Sequence, residues 1–405
     1  MKRIGLYLSG FPEEGGAYQY KLSMIDAVLA LPADTYHPVI AVNGTQWLPY
    51  IKAGSRTHTV LHASPSWPEQ VAVSTWERMG LPVGWWRQVA GWLSPFVRTI
   101  VAQRCDLWIF PSSESWTFRT PVRSMGVIFD LMHRYETRFP EVGKRSEYHR
   151  RERRFRRLCR WADAILVDSE IGADQASESY PVCAGKLHVL PFAPPAYIYH
   201  SASPPDFDHR YCLPSRYLFY PAQFWEHKNH KALVRALAKL RDIEPAMQMV
   251  FVGAEKNVYD SVMELARQFG VADRVIVFGY VPNEDLVELY RRARALVMPT
   301  FFGPTNIPPL EAMTLGCPVA VSGIYAMPGQ YGDAALYFDP ASDNEIAEAL
   351  LRLWTDDELC RHLREAGRAV AAEYDQRHFN RRFRDIVDSV VHVKAGETTK
   401  TSQSL

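Results

Sequence analysis

From residue 217 onward, short apolar runs rich in β-branched and aromatic residues alternate with longer stretches of helical periodicity, and few architectures accept that pattern. Segments 217–220, 247–252, 275–278, 295–298 and 319–321 read as strands. Segments 228–240, 258–269, 284–292 and 309–315 read as the helices between them. Strands that are apolar on both faces belong in a parallel sheet covered by helices, and repeated β/α units of this kind make a doubly wound domain. The first half opens the same way, with a strand at 4–8, a turn at 12–16 and a helix at 17–31 that puts Leu22, Ile25 and Leu29 on one face. Further strands are expected at 39–42, 107–110, 127–129 and 164–167, and the pattern is least regular between 45 and 105.

At roughly 100 to 200 residues per domain, 405 residues suit two domains. Residues 191–214 hold six of the chain's 28 prolines, a density that disfavours helix and central strand and marks a linker. The expected division is a Rossmann-like domain at 1–192, a linker at 193–214 and a second Rossmann-like domain at 215–375. A helix at 376–393 and a disordered tail at 394–405 follow. Phe379, Phe383, Ile386 and Val390 give that helix an apolar face that needs a surface to cover.

Charge sharpens the division. The net charge of +1 hides a first half, 1–195, with 23 basic and 18 acidic residues and a second half with 23 and 27. The excess is local: residues 144–160 carry nine Lys and Arg against Glu147 and Glu152. Overall neutrality argues against a nucleic-acid binder. The six cysteines show neither a C-x-x-C pair nor zinc spacing, which fits a reducing compartment and no metal. The basic Lys2-Arg3 start has too short an apolar run for a signal peptide. No segment approaches the ~18 apolar residues of a membrane span.

The clusters that could carry chemistry lie at strand ends. Residues 299–321 read as strand end, Gly/Pro loop, helix and next strand. There the amides of Thr305, Asn306 and Ile307 can point out at a positive helix end suited to a diphosphate. Glu311 is an acceptor-only carboxylate matched to a pair of ribose hydroxyls, or equally a complement to the helix dipole. Lys228 in the 220–231 loop can meet a phosphate, with Gln223 donating beside it; a solvated helix-start lysine is the commoner role. Gly15 and Gly16 follow a strand and would admit a ligand to the backbone, though paired glycines at a turn are common. Asp130 and His133 stand where a first-domain strand would open into the space between domains. His133 reads either as a substrate contact or as a structural histidine.

Taken together these clusters resemble the retaining glycosyltransferases of family 4, which have the GT-B fold. The likeness spans most of the chain and is strongest over 217–375, where V-F-G-Y-V-P (277–282), N-I-P-P-L-E-A-M (306–313) and Gly332-Asp333-Ala334-Ala335 come in the family's order. Weaker matches are Glu14-Gly15-Gly16 and 163–170. The resemblance implies two Rossmann-like domains facing across a cleft, with the last helix crossing back to the first. It also implies transfer of a sugar from a UDP- or GDP-sugar to a hydroxyl of a glycan or lipid-linked acceptor, with retention, as in polysaccharide or lipopolysaccharide synthesis. The nucleotide-sugar is then a co-substrate, and neither cofactor nor metal is needed. Lys228 would neutralise the diphosphate, Thr305 to Ile307 would hold phosphate and sugar, Glu311 the ribose, and Gly279 and Tyr280 would border the base. Asp130 and His133 are the candidate catalytic groups of the 129–140 stretch.

Three positions depart from the family pattern. Gly303 stands where a sugar-contacting Glu is usual, Gln223 replaces an Arg, and Phe129-Asp130 replaces a His-Asp pair. A non-catalytic nucleotide- or glycan-binding protein, or a sugar-nucleotide epimerase, is the competing reading. The expected location is cytoplasmic, at the inner membrane face. The arginine-rich segment, with Trp85, Trp86 and Trp92 exposed, would meet anionic lipid there, or else form a solvated helix face with those aromatics in the core.

Overall fold

Every strand pairing among the described residues of the computed structural model is parallel. The structure describes residues 1–12, 15–52, 57–199 and 203–392; Glu14, Val393 and the 394–405 tail lie outside them. The chain forms two compact units, one of 1–129, 151–191 and the C-terminal segment from Gln376, the other of 130–150 and 192–375.

The first unit holds strands β1 (Lys2–Leu8), β2 (Tyr36–Val42), β3 (Thr59–His62), β4 (Leu107–Ile109), β5 (Ser124–Val127), β6 (Ala164–Val167) and β7 (Leu187–Val189). They lie in the order β3-β2-β1-β4-β5-β6-β7. The second unit holds β8 (Leu218–Pro221), β9 (Met249–Val252), β10 (Val275–Phe278), β11 (Ala295–Met298), β12 (Val319–Ser322) and β13 (Leu336–Phe338), in the order β10-β9-β8-β11-β12-β13. Both orders reverse direction once, between β1 and β4 and between β8 and β11. In a doubly wound sheet the loops leaving the two strands at such a reversal diverge and leave a crevice at their carboxyl ends.

The central strands of the second sheet are buried along their length: β9, β11 and β12 have no exposed residue. Helix His230–Lys239 covers one face with Leu233, Val234 and Leu237, and Ile346, Leu350 and Leu353 of helix Asp343–Thr355 join the same core. In the first unit the last helix, Gln376–His392, lies against helix Gly16–Leu29. It buries Phe379, Phe383, Val387, Val390 and Val391 there. The Gln376 side chain donates to the Ser23 carbonyl at 3.0 Å, and Arg123 donates to the Val390 carbonyl at 2.7 Å. That is where the apolar face of the final segment is spent.

Two segments differ from expectation. The strand expected at 127–129 ends at Val127, because Asp130 accepts the Met132 amide at 3.0 Å and starts the short turn Met132–Tyr135. Residues 130–150 then group with the second unit, whereas the 1–192 division had put them in the first. The described residues of the proline-rich segment, 193–199 and 203–214, also pack into the second unit: Phe207 is in its core, and Arg210 forms a bidentate pair with buried Asp285 at 2.5 and 2.7 Å.

Gly253 closes β9 with φ at 152°, and a Cβ there would stand 2.3 Å from the Ala222 carbonyl oxygen. Its amide is shared between the Phe278 and Gly279 carbonyls at 3.2 and 3.1 Å, so the turn ties β10 to the loop after β8. Gly253→Ala is expected to lower the thermal midpoint by several degrees, the size of a ~1–3 kcal/mol backbone clash. An unchanged melt by circular dichroism would contradict the close approach.

Candidate active site

The two loops that diverge at the β8/β11 reversal carry most of the residues singled out in the sequence. The first leaves β8 through Gln223, turns at Glu226–Lys228 and enters its helix after Asn229, whose φ of 62° is left-handed. The second leaves β11, passes Gly303 at φ 92° and starts helix Ile307–Thr314. Hydrogen bonds join the loops. The Phe301 amide donates to the His227 carbonyl at 2.9 Å, and the Asn229 amide group donates to the Pro299 and Pro340 carbonyls at 3.1 and 2.8 Å. From beneath, the Tyr220 hydroxyl donates to the Lys228 carbonyl at 2.9 Å.

Lys228 is partly buried in this arrangement. Burial lowers its ammonium from the ordinary lysine range to about 8, with Asp130 opposing the fall. Among the described residues no carboxylate lies within ion-pair distance of that ammonium. Asp130 is near enough to be felt but is turned toward the Met132 amide. A cation held in place and left unpaired is a site for an anion that arrives from outside.

Sequence reasoning missed the group that shapes this turn. Glu141, on the short helix Pro140–Gly143, accepts the Glu226 amide at 2.7 Å and the Asn257 side-chain amide at 3.0 Å. It stands 3.7 Å from His227 Nδ1, too far for a hydrogen bond. Burial works against ionising Glu141, yet His227 and these donors hold its carboxyl down at about 2. The His227 ring lies flat on Phe302 with centroids 3.9 Å apart, and burial lowers its pKa. Glu141 therefore fixes the backbone that presents Lys228.

At the second loop, Pro308 and Pro309 in the first helical turn have no N–H. Among the described residues, the backbone amides of Asn306 and Ile307 have no protein acceptor. The Asn306 carbonyl accepts the Tyr331 hydroxyl at 3.1 Å, and the Ala326 amide donates to the Pro304 carbonyl at 3.1 Å, so the loop is held from behind. Thr305 is buried. A Cβ on Gly303 would meet the Thr305 carbonyl oxygen at 2.7 Å, so this loop path accepts glycine only.

Glu311 is 5% exposed and both its oxygens are taken: Oε1 accepts the Tyr197 hydroxyl and Oε2 the Tyr290 hydroxyl, each at 2.6 Å. Burial raises its pKa, and the two phenols pull it back down. Gln223 accepts the Trp225 indole N–H at 2.9 Å through its side-chain oxygen. Gly279 and Tyr280 are exposed beyond β10, with Tyr280 76% accessible. His133, 0% exposed with its ring 5.5 Å from that of Tyr148, has no accessible surface, while Asp130 is beside Lys228. In the first unit, Gly15 caps helix Gly16–Leu29 at φ 62°, and Gly16 is the first helical residue. The second unit thus carries Lys228, Asp130, the Asn306 and Ile307 amides and Glu311 on the elements around its β8/β11 reversal.

Residues 212–370 match the model of the family described as glycosyl transferases group 1. The O-antigen chain mannosyltransferase B of Escherichia coli is 33% identical over 146 residues, 35% of this chain and 37% of that protein. The serotype-specific mannosyltransferase WbdA of Escherichia coli is 25% identical over 220 residues, 53% of this chain and 27% of that protein. The chain thus aligns with about a third of the length of these curated relatives. Among solved structures, sucrose-phosphate synthase from Thermosynechococcus elongatus superposes with a TM-score of 0.72 at 17% identity, covering 96% of this chain and 99% of that one. Anabaena HepE in complex with UDP gives 0.68 at 15%, covering 96% and 100%. At such identities the likeness is one of fold, the two-domain α/β architecture of GT-B glycosyltransferases.

The sign of the pH dependence follows from Lys228. An anion binds the protonated ammonium, so affinity is full below about pH 7 and declines as pH rises through about 8. Calorimetry with pyrophosphate is expected to show this decline, with proton uptake on binding near pH 8. Constant affinity from pH 7 to 9.5 would contradict it.

Proposed function

We propose that this chain, whose second unit carries a glycosyl transferases group 1 domain over residues 212–370, is a retaining glycosyltransferase that moves a sugar from a UDP- or GDP-sugar to a hydroxyl of a glycan or glycolipid. The observation that carries the reading is the Lys228 ammonium, unpaired among the described residues, on one of the two loops that diverge at the switch point, with the Asn306 and Ile307 amides on the other. As the bond from the anomeric carbon to the diphosphate breaks, negative charge gathers on the leaving phosphate. Fixed donors aimed at that charge stabilise the transition state more than the ground state. In this reading Lys228 supplies the positive charge without a metal ion, Glu311 takes the ribose, and Gly279 and Tyr280 border the base. Asp130 stands beside Lys228 as the candidate for the sugar side.

One of these relatives is named an O-antigen chain mannosyltransferase and the other a serotype-specific mannosyltransferase. That makes GDP-mannose the first donor to try and a role in cell-surface polysaccharide synthesis the natural setting. Incubation with UDP-, GDP-, ADP- and dTDP-sugars is expected to give binding and slow hydrolysis of one donor, and silence with all of them would contradict the reading. Lys228→Ala is expected to weaken nucleoside diphosphate binding about tenfold or more, the loss of a charge-assisted contact of ~1.5–3 kcal/mol. Donor binding without transfer to any extract-derived acceptor would favour a non-catalytic binding protein, which Gly303 and the engaged Gln223 oxygen motivate.

The acceptor side is proposed to work at an anionic membrane from the cytoplasm. Trp85 and Trp92, one helical stripe apart by seven residues, are 58% and 88% exposed, whereas Trp86 is buried, not exposed as the sequence suggested. Their helix, Val83–Leu93, touches the end of the arginine helix Arg145–Trp161, where the Arg87 guanidinium lies 5.2 Å from the centre of the Trp161 ring. Arg150 and Arg156 pair with Glu147 and Glu152, while Arg153 and Arg160 are exposed on the same helix. No helix among the described residues is long and apolar enough to cross a membrane. Flotation is expected to recover the protein with anionic vesicles at low salt and to lose it at high salt. Equal partition onto neutral vesicles would contradict an electrostatic contribution.

A further inference from the structure

We propose that Tyr197 is a displaceable stand-in for the ribose diol: its hydroxyl occupies the Glu311 carboxylate in the free protein and leaves it when a nucleotide arrives. The proposal rests on the donor reading above and adds to it a residue that selects for ribose.

A nearly enclosed carboxylate needs donors to remain charged, and without nucleotide those donors are two phenols, one on each oxygen at 2.6 Å. A vicinal diol would deliver the same pair of O–H groups. Both phenols cannot stay if the diol is to reach a residue with 5% of its surface open.

The two phenols are not equally fixed. Tyr290 is fully buried on helix Asn283–Arg292, with its ring edge-on to Phe219 at 5.0 Å between centroids. Tyr197 sits on the four-residue turn Ala196–Tyr199, where Ile198 is the buried residue and Ala196 and Tyr199 are exposed. The turn is closed by the Ile198 amide donating to the Pro195 carbonyl at 3.1 Å. Tyr197 lies on a short turn outside the sheet, so swinging its side chain aside leaves the strands in place, whereas moving Tyr290 would open the core.

The cost of displacement falls on any ligand that claims Glu311 and is repaid only by a sugar with both hydroxyls. A 2′,3′-dideoxyribose has nothing to offer the carboxylate and leaves Tyr197 in place. Tyr197 thereby favours ribonucleotides by competing for the group they need, and removing its hydroxyl removes the competitor.

The test is calorimetric titration of wild type and Tyr197→Phe with UDP, GDP and their 2′,3′-dideoxy analogues. Tyr197→Phe is expected to bind the preferred ribonucleoside diphosphate roughly 3- to 10-fold more tightly, the release of one hydrogen bond to a charged group partly offset by the second phenol. Its affinity for the dideoxy analogue should not change. Weaker or equal binding of the ribonucleotide, or the same shift for both sugars, would overturn the proposal and leave Tyr197 a structural fixture. If wild type prefers ribose over dideoxyribose and the variant shows no gain, this proposal alone falls. If no nucleotide binds wild type, the donor reading falls and takes this one with it. A second measurement keeps the native hydroxyl: 3-fluorotyrosine placed at 197 should shift its fluorine resonance on adding the ribonucleotide and not the dideoxy form. A resonance unmoved by saturating ribonucleotide would also overturn it.

Discussion

A partly buried ammonium with no carboxylate partner among the described residues is costly to keep, and two loops of the second unit hold one at Lys228. Its charge survives at neutral pH because burial lowers its pKa only to about 8, with Asp130 limiting the fall. The turn that presents it is fixed through its backbone: Tyr220 holds the Lys228 carbonyl, Asn229 bridges to Pro299 and Pro340, and Glu141 holds the Glu226 amide. A carboxylate paired with Lys228 would have occupied the ammonium and removed the anion site. Glu141 is instead spent on the backbone.

The same economy of partners holds at the neighbouring loop. Prolines in the first turn of helix Ile307–Thr314 remove two of its free donors and leave the Asn306 and Ile307 amides at the positive end. Gly303 lets the chain pass without a side chain, and Tyr331 pins the loop from behind. The crevice at the β8/β11 reversal is therefore furnished by backbone and one lysine, and Glu311 lies deeper under two phenols.

Much of this was legible in the sequence where burial makes the pattern unambiguous. Segments 275–278 and 295–298 match β10 and β11 residue for residue, because strands that line a core show continuous apolar runs. The region 45–105 was opaque for the opposite reason. Its helices Trp67–Arg78, Val83–Leu93 and Pro95–Ala102 expose several large apolar side chains and so lack a clean periodicity. The usable signal there was capping: Ser66 with Glu69, and Ser94 before Pro95. At the site, Lys228 and the 305–307 amides announce themselves by position after a strand. Tyr197 and Glu141 do not, since they reach Glu311 and Glu226 across 114 and 85 residues. His133 illustrates the limit of residue type alone, for its ring lies beside that of Tyr148 with no accessible surface, which its type could not foretell.

The account stands on the diphosphate of a nucleotide meeting Lys228 at the switch point of the second sheet. A crystal structure of the full chain grown with the preferred nucleoside diphosphate tests that directly. It should place phosphate oxygens within hydrogen-bond distance of the Lys228 ammonium and of the Asn306 or Ile307 amide. A nucleotide bound elsewhere on the chain, with Lys228 untouched, would contradict the central claim.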